Sequence, residues 1–286
     1  MRVLVTGAGG FLGRRLVPLL SERHDVVAVA RRPVDGVDTL LADLGTEDLP
    51  ELPPGLDAVV HLAQSRRYRE WPGGAADMYA LNVDVVFTLL EHARTAGVSH
   101  FVLASTGAVY APADDPIHED GLLRPAGFYA RSKFAAEVLT EGYADDLVTV
   151  IMRPFAIYGA GQRNTLVANL AAGVHEREEL VVRGDPGLRI NPIHVDDAAR
   201  AFAAALERST SGAFNVVGSE VVSLTALVEQ LADLAGTPPR IRHTGDASPS
   251  LIGDIARMRD VLGTAPQVGL REGLADVLSE LVGRAR

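Results

Sequence analysis

The chain has 286 residues, 47% of them hydrophobic, and a formal net charge of −10. This length allows one large domain or two small ones with a full hydrophobic core. The absence of cysteine excludes disulfides, thiolate zinc sites and cysteine nucleophiles. An acidic chain repels nucleic acid and anionic membranes, so we expect neither as a partner. The first residues are typical of a strand entering a turn, so we expect no secretory leader. No run of 18 apolar residues and no metal-ligand spacing of histidines occurs in the sequence. We therefore expect a cytoplasmic protein without a membrane span or a metal site.

The first half of the chain alternates between strand-like and helix-like segments. Strands are predicted, in chain order, at 2–6, 25–30, 39–43, 57–63, 100–105 and 147–153. Helices are predicted among them at 11–21, 76–97 and 128–144. The strands are continuous apolar runs, a pattern typical of strands buried on both faces of a parallel sheet. The alternation predicts right-handed βαβ units, and hence an α/β fold with a Rossmann-type doubly wound parallel sheet.

The second half has a different pattern, with few strands that would extend such a sheet. Helices are predicted at 165–173, 196–207, 224–235 and 269–282, and strands at 180–183 and 213–217. These segments predict a smaller, mostly helical C-terminal lobe. We therefore divide the chain into a sheet domain of residues 1–158, to which residues 193–218 return, and a lobe of residues 159–192 and 219–286.

The first turn carries glycines at positions 7, 10 and 13, between a strand and a helix. Gly7 would allow a tight turn, and Gly10 would let the backbone approach a pyrophosphate at the helix N-terminus. Gly13 would let the helix pack closely on the strand. The alternative is an ordinary glycine turn. The position between strand and helix favours a dinucleotide site, which makes residues 1–158 the dinucleotide-binding domain.

The end of the second strand indicates which dinucleotide fits. A carboxylate about 20 residues past the loop would bind the ribose 2′-hydroxyl of NAD. The strand instead ends at Ala30 and continues with Arg31 and Arg32. Arginine binds a phosphate as a fork, so NADP(H) is favoured and NAD(H) is the alternative. The alternative interpretation is that both arginines are solvated loop residues without a role in binding. Asp43, after the third strand, would suit an adenine contact.

Tyr129 and Lys133 are four residues apart on a predicted helix, so they share one face. Lys133 is the only lysine among 27 basic residues. An ammonium beside a phenol stabilises the phenolate and lowers the pKa of the tyrosine, which suits acid–base work at an oxygen. Thr106 or Ser105, at the end of the fifth strand, would hydrogen-bond the substrate oxygen. This chemistry accompanies hydride movement at the adjoining carbon.

The glycine spacing, the tyrosine–lysine pair and the strand end at Thr106 together resemble the extended short-chain dehydrogenase/reductase family. Within that family they resemble the nucleotide-sugar epimerase, dehydratase and reductase group, and the resemblance spans most of the chain. Other segments resemble family motifs as well: residues 60–63, Asn82, residues 153–159 and residues 193–197.

The resemblance implies that Thr106, Tyr129 and Lys133 are the catalytic triad, and that Asn82 braces the active site. It also implies a homodimer built on the helices 76–97 and 128–144. The implied cofactor contacts are Gly7, Gly10, Phe11, Leu12, Arg31, Arg32, Asp43, Leu44, Leu62, Ala63, Tyr129, Lys133, Pro154 and Ile157.

Two departures from the family pattern narrow the reaction. Gly107 and Ala108 stand where sugar dehydratases carry an acidic pair after the threonine, which argues against elimination of water. Ile190 stands where many members place an arginine for the nucleotide diphosphate, which puts that group in doubt. Other residues are candidates for binding a substrate, although each arginine could equally be a solubilising surface charge. They are Ser105, Arg66, Arg163 and Arg189.

Four functions remain open. The first is NADPH-dependent reduction of a keto group on a sugar, with a nucleotide-linked sugar as the expected small-molecule partner. The second is an NAD-dependent sugar epimerase, for which the missing carboxylate after Ala30 is unfavourable. The third is a dehydrogenase of a small substrate without a nucleotide. The fourth is a cofactor-sensing regulator, against which the intact Thr106, Tyr129 and Lys133 set argues.

Overall fold

The computed structural model describes residues 1–46, 49–245 and 249–284. Its strands, in chain order, are β1 (Arg2–Thr6), β2 (Asp25–Ala30), β3 (Asp38–Leu41), β4 (Ala58–His61), β5 (His100–Ala104), β6 (Val148–Pro154), β7 (Ile157–Tyr158), β8 (Leu180–Arg183), β9 (Arg189–Ile190), β10 (Ile193–His194), β11 (Gly212–Val216), β12 (Val222–Ser223) and β13 (Ile241–Thr244). Its helices are α1 (Gly13–Ser21), α2 (Ala75–Tyr79), α3 (Val85–Ala96), α4 (Gly127–Glu141), α5 (Leu166–His175), α6 (Val195–Ala205), α7 (Leu224–Leu234), α8 (Ala256–Asp260) and α9 (Leu270–Arg284).

Seven of the strands in the described ranges form one parallel sheet in the order β3-β2-β1-β4-β5-β6-β11. The chain runs outward in one direction from β1 to β3 and in the other from β4 to β6. The change of direction between β1 and β4 leaves a crevice at the carboxyl ends of the strands, where such sheets bind ligands. The predicted doubly wound parallel sheet is confirmed.

Helices cover both faces of this sheet. One core joins the sheet to α1 and α6, with Leu16 and Phe202 fully buried in it. The other joins the sheet to α3 and α4, with Leu89 and Ala136 fully buried. The apolar runs that predicted the strands therefore reflect burial on two sides.

The second half of the chain builds a separate core and also returns to the sheet. Helices α5, α7 and α9 pack around a cluster that includes Leu227 and Leu274. Strand β11 joins β6, and α6 packs on α1. The division into a dinucleotide-binding domain and a substrate-binding lobe stays a prediction. Helix α8 was placed with the lobe, but it packs on β11 and its Met258 lies in the sheet core.

The helix predicted at 76–97 is three elements. A π-helical turn, Ala80–Asp84, separates α2 from α3. The two-residue strands were not predicted either; they pair in small sheets as β7 with β10 and β9 with β12. Within the described ranges, none of the helices is both long and apolar enough to cross a membrane.

Candidate active site

The loop between β1 and α1 is a tight cradle of glycines. Gly7 has a left-handed φ of +68°, and a Cβ atom added there would lie 2.7 Å from the backbone nitrogen of Ala63. A Cβ atom on Gly13 would collide with the carbonyl oxygen of Ala8. The Gly10 N–H donates to the Gly7 carbonyl at 2.8 Å and closes the turn. Close backbone approach therefore requires glycine here, as the spacing predicts.

The start of α1 is open toward this cradle. Leu12 is the N-cap residue after half-buried Phe11, and no side chain of the described ranges caps the helix. Leu62 and Ala63 follow β4 and lie against the loop. Their N–H groups donate to the Thr6 carbonyl and hydroxyl oxygens at 3.2 and 3.3 Å. An uncapped helix N-terminus beside bare backbone suits a pyrophosphate.

Arginines gather beyond the end of β2. Arg31 and Arg32 are exposed directly after the strand, and Arg31 pairs with Asp43 at 3.8 Å. Arg66 lies close to both and to Arg14. Partial burial and these three positive charges hold the pKa of Arg66 below its usual range, against the charge of Asp43. Arg66 was a predicted substrate residue, but the structure groups it with the arginines on the cofactor side.

The remaining predicted cofactor residues lie near the carboxyl ends of other strands. Leu44 follows β3 and is buried. Pro154 ends β6, and Ile157 begins β7 and pairs with Ile193 of β10. All three therefore lie on the side of the sheet where the parallel strands end.

Tyr129 and Lys133 lie one turn apart on α4. The Tyr129 hydroxyl donates to the Gln64 side-chain oxygen at 3.2 Å and is within hydrogen-bonding reach of Thr106. Lys133 is 1% exposed, and its ammonium donates to the carbonyl oxygen of Ala104 at 2.8 Å. The structure thus brings Gln64, which follows β4, and Thr106, which follows β5, to the Tyr129 side chain of α4.

Burial shifts the pKa values of the pair in opposite directions. It raises the pKa of Tyr129 to about 12, although a hydrogen bond with Thr106 lowers it. It lowers the pKa of the Lys133 ammonium to about 8, although the charge of Glu137 raises it. The expectation that Lys133 depresses the pKa of Tyr129 is wrong for this structure. Loss of hydration dominates for the phenolate, and the ammonium donates to Ala104 instead.

Thr106 caps a short 3₁₀ turn, Gly107–Val109, by accepting the Ala108 N–H at 3.2 Å. A Cβ atom on Gly107 would collide with the ring of Phe155. An acidic side chain therefore has no room at position 107, which gives a physical reason for the departure from the dehydratase pattern.

Asn82 lies on the π-helical turn and is fully buried. Its side-chain amide donates to the Ser132 hydroxyl at 2.9 Å, and that hydroxyl donates to the Tyr129 carbonyl at 2.9 Å. Asn82 therefore braces α4 beside Lys133, in the way that the resemblance implies.

A buried ion pair lies behind the catalytic candidates and joins α4 to β6. Glu137 and Arg153 are 1% and 2% exposed, with a carboxylate–guanidinium distance of 2.7 Å. Arg153 also donates to the Tyr110 hydroxyl at 2.6 Å. The Ser105 hydroxyl donates to Glu137, so its proton is used inside the protein. The structure therefore does not offer Ser105 as a donor to substrate.

The second lobe contributes less to this site than the sequence suggested. Arg163 and Arg189 are exposed, and neither lines the pocket beside Tyr129. Ile190 is buried in the core of the lobe, which leaves no charge at the position of the family arginine. Substrate contacts of Arg163 and Arg189 stay predictions.

The motif at 193–197 is structural. His194 is the N-cap residue of α6, and its ring accepts the Asp196 N–H at 3.4 Å. The Asp197 carboxylate accepts the N–H groups of Gln267 and Val268 at 2.8 and 3.0 Å. The motif therefore ties α6 to the segment that leads into α9.

Three residues around the site are not among those predicted from the sequence: Gln64, Trp71 and Glu137. Glu137 continues the spacing of Tyr129 and Lys133 by one more helical turn, and that repeat could have found it. Nothing in the local sequence marks Gln64 or Trp71, because the fold of the segment after β4 brings them to Tyr129.

Known proteins that are similar to this chain over most of its length are nucleotide-sugar reductases and epimerases. A family model described as "NAD dependent epimerase/dehydratase family" matches residues 3–217. The GDP-6-deoxy-D-mannose reductase of Pseudomonas aeruginosa is 31% identical and is matched over all of this chain and 98% of its own length. The UDP-glucose 4-epimerase of Mycolicibacterium smegmatis is 32% identical over 96% of both chains.

A solved structure shares the whole fold. MoeE5 in complex with UDP-glucose and NAD superimposes with a TM-score of 0.88, at 30% identity and over all of both chains. The chain therefore belongs to the NAD dependent epimerase/dehydratase family and is an NAD(P)-dependent enzyme.

Proposed function

We propose that this enzyme reduces a keto group on a nucleotide-linked sugar, with NADPH as the reductant. The observation that carries the proposal is the Tyr129 hydroxyl beside Thr106, whose raised pKa keeps its proton in place at neutral pH. A carbonyl oxygen needs such a proton donor when its carbon receives hydride.

The glycine cradle fits the pyrophosphate of a nicotinamide dinucleotide. Side chains at Gly7 and Gly13 would collide with backbone, and α1 presents an uncapped N-terminus. A bound cofactor supplies the hydride. The residues that would hold it elsewhere follow the strand ends: Phe11, Leu12, Asp43, Leu44, Leu62, Ala63, Pro154 and Ile157.

Three side chains would do the remaining chemistry. Tyr129 donates its proton to the substrate oxygen. Thr106 donates a hydrogen bond to the same oxygen and orients the carbonyl. Lys133, one helical turn from Tyr129 and held on the Ala104 carbonyl, would donate a hydrogen bond to the ribose of the bound cofactor.

The arginine group supports NADPH over NADH. Arg31, Arg32 and Arg66 are close together, and Ala30 leaves the end of β2 without a carboxylate. Guanidinium groups bind a 2′-phosphate, whereas a carboxylate would repel it. We therefore propose that Arg66 binds the cofactor phosphate and not the substrate.

Equilibrium binding of NADPH and NADH tests the cofactor. We expect NADPH to bind about tenfold tighter or more, and Arg66→Ser to remove most of that preference while NADH affinity stays unchanged. Arg259→Ser, which changes an exposed arginine paired with Asp260, is the matched control and should leave the preference intact. Equal affinities in the unchanged protein would refute the NADPH assignment.

The relatives support the substrate class. The relative in Pseudomonas aeruginosa is a GDP-6-deoxy-D-mannose reductase, and MoeE5 was solved with UDP-glucose. The test is NADPH oxidation with a panel of nucleotide-linked keto sugars, where one NADPH should be consumed for each alcohol formed. No consumption with any member, in protein that binds NADPH, would exclude the reaction.

An NAD-dependent sugar epimerase is the second candidate. It is favoured by the 32% identity to the UDP-glucose 4-epimerase of Mycolicibacterium smegmatis. Epimerisation inverts one carbon without net consumption of cofactor. NAD retained through purification, together with inversion of a UDP-sugar, would place this function first.

We also propose a homodimer that buries the outer faces of α3 and α4. Helices α3 and α4 pack side by side. Phe87 of α3 and Val138 of α4 are 49% and 52% exposed, and Tyr79 of the preceding α2 is 51% exposed. Covering them against a second copy would remove this apolar surface from water.

A further inference from the structure

A pocket of about 500 Å³ opens beside Tyr129, between the start of α4 and the segment that follows β4. Its lining includes the aromatic side chains of Tyr68, Trp71, Phe128 and Tyr129, together with Arg131. The pocket is separate from the glycine cradle, since none of the residues of the β1–α1 loop lines it. It therefore offers space for the part of a ligand that adjoins the reacting group.

Trp71 is the only tryptophan of the chain and is 62% exposed. Its indole stacks on the Phe128 ring with a centroid distance of 4.9 Å and an interplanar angle of 24°. Tyr68 packs in a tilted arrangement on Tyr129 at 5.3 Å. The aromatic surface thus extends from the catalytic tyrosine candidate to an exposed indole, and such surfaces are typical of ligand pockets.

The segment that carries Trp71 is held in place at several points. The Ser65 hydroxyl donates to Asp77 of α2 and accepts the Arg67 N–H at 3.0 Å. The Arg67 guanidinium donates to Glu70 at 2.7 Å, and the Glu70 N–H donates to the Arg67 carbonyl at 2.8 Å. The indole is therefore presented on a fixed turn, which lowers the entropy cost of binding against it.

We propose that Trp71 forms the wall of a sugar subsite and stacks on the apolar face of the hexose ring of the substrate, with Arg131 donating to ring hydroxyls. This inference rests on the proposed function, because Tyr129 must hold the reacting oxygen. A hexose presents C–H bonds on its faces and hydroxyls at its rim, which matches an indole beside a guanidinium. The sugar, not the base, fits here because the pocket includes Tyr129.

The single tryptophan makes the test direct. Trp71 emission would be titrated with UDP-glucose, UDP-glucuronic acid and GDP-6-deoxy-D-mannose, and separately with UDP and GDP. Calorimetry on the same samples would measure binding independently. We expect at least one sugar nucleotide to change the emission, while the free nucleotides bind without changing it.

Each other outcome overturns the inference. Binding heat from a sugar nucleotide without a change in emission would remove the subsite and leave the proposed function intact. An equal change with UDP or GDP alone would show that the base stacks on the indole. No heat from any of the three would remove the substrate class and the subsite together.

Variants give a second readout. Trp71→Ala should raise the KM or Kd for the bound sugar nucleotide about tenfold, whereas Trp71→Phe should change it less than about threefold. Val261→Ala, at an exposed apolar residue beyond α8, is the matched control and should have no effect. Unchanged affinity in Trp71→Ala would refute the subsite. A changed molecular mass of that variant would assign the indole to a contact between two copies.

Discussion

Tyr129 and Lys133 owe their opposite pKa shifts to one cause, their burial. Burial disfavours the charged form of each group, so the phenol holds its proton more tightly and the ammonium more loosely. With a pKa of about 12 for Tyr129 and about 8 for Lys133, both groups are protonated at neutral pH. This state is the one that a reductase requires before each turnover.

Tyr129→Phe removes the proton donor and keeps the ring. We expect kcat for NADPH oxidation to fall by about 100-fold or more, with cofactor Kd changed less than about threefold. Tyr143→Phe is the matched control, because its hydroxyl donates to Glu91 at 2.6 Å, away from the site. Turnover that survives in Tyr129→Phe would rule out this tyrosine as the acid.

The rate of reduction should depend on the charge of Lys133. Because burial lowers its pKa to about 8, the ammonium is charged below that pH and neutral above it. We expect kcat/KM to be level below about pH 7.5 and to fall about tenfold per pH unit above the pKa. A pH–rate profile measures this. A flat profile up to about pH 10 would contradict the role of the ammonium.

The sequence predicted which residues meet at this site better than it predicted their hydrogen-bond partners and pKa values. The four-residue spacing placed Tyr129 and Lys133 on one helix face, and the structure agrees. The sequence could not show that the ammonium would donate to the Ala104 carbonyl, because that contact depends on how α4 packs on the end of β5. Likewise, Ser105 follows a strand at the ligand edge, but its hydroxyl donates a hydrogen bond to Glu137.

At the scale of elements, the Glu137–Arg153 pair fixes α4 against β6. Both groups are almost fully buried, and Arg153 reaches on to Tyr110, which donates to the Asn215 side chain of β11 at 2.9 Å. The network therefore fixes the position of α4, which carries Tyr129 and Lys133, relative to the sheet.

Replacing one residue of this pair should lower the free energy of unfolding more than replacing both. We expect Arg153→Met to lower the free energy of unfolding by about 3–5 kcal/mol, because Glu137 is left buried without compensation. The double variant Glu137→Leu/Arg153→Met should recover part of that loss. Urea unfolding measures both. Asp233→Asn, in an exposed pair with Arg271, is the control and should change stability little.

Long elements with a clear apolar pattern were predicted well, whereas irregular ones were not. The run 25–30 is a strand with the same bounds in the structure. The π-helical turn inside 76–97 has no local signal in the sequence, because tertiary packing orients Asn82 there. Two-residue strands such as β7 and β10 are too short to show any periodicity.

At the scale of the whole molecule, the exposed apolar side of α3 and α4 predicts the state of assembly. We expect light scattering to give twice the 30.3 kDa mass of one chain. Phe87→Glu places a charge on the proposed interface and should produce the single-chain mass. Leu122→Glu, at a 71% exposed residue outside α3 and α4, is the control and should not. A single-chain mass for the unchanged protein would exclude the homodimer.

The burial of Lys133 also gives the molecule an unusual chemical simplicity. It is the only lysine, so the chain has one primary amine besides its N-terminus, and that amine is 1% exposed. Reductive methylation with ¹³C-formaldehyde would therefore give two NMR signals, one fast to appear and one slow. The slow signal would report how often the interior of the site opens to a reagent, in protein that carries no substitution.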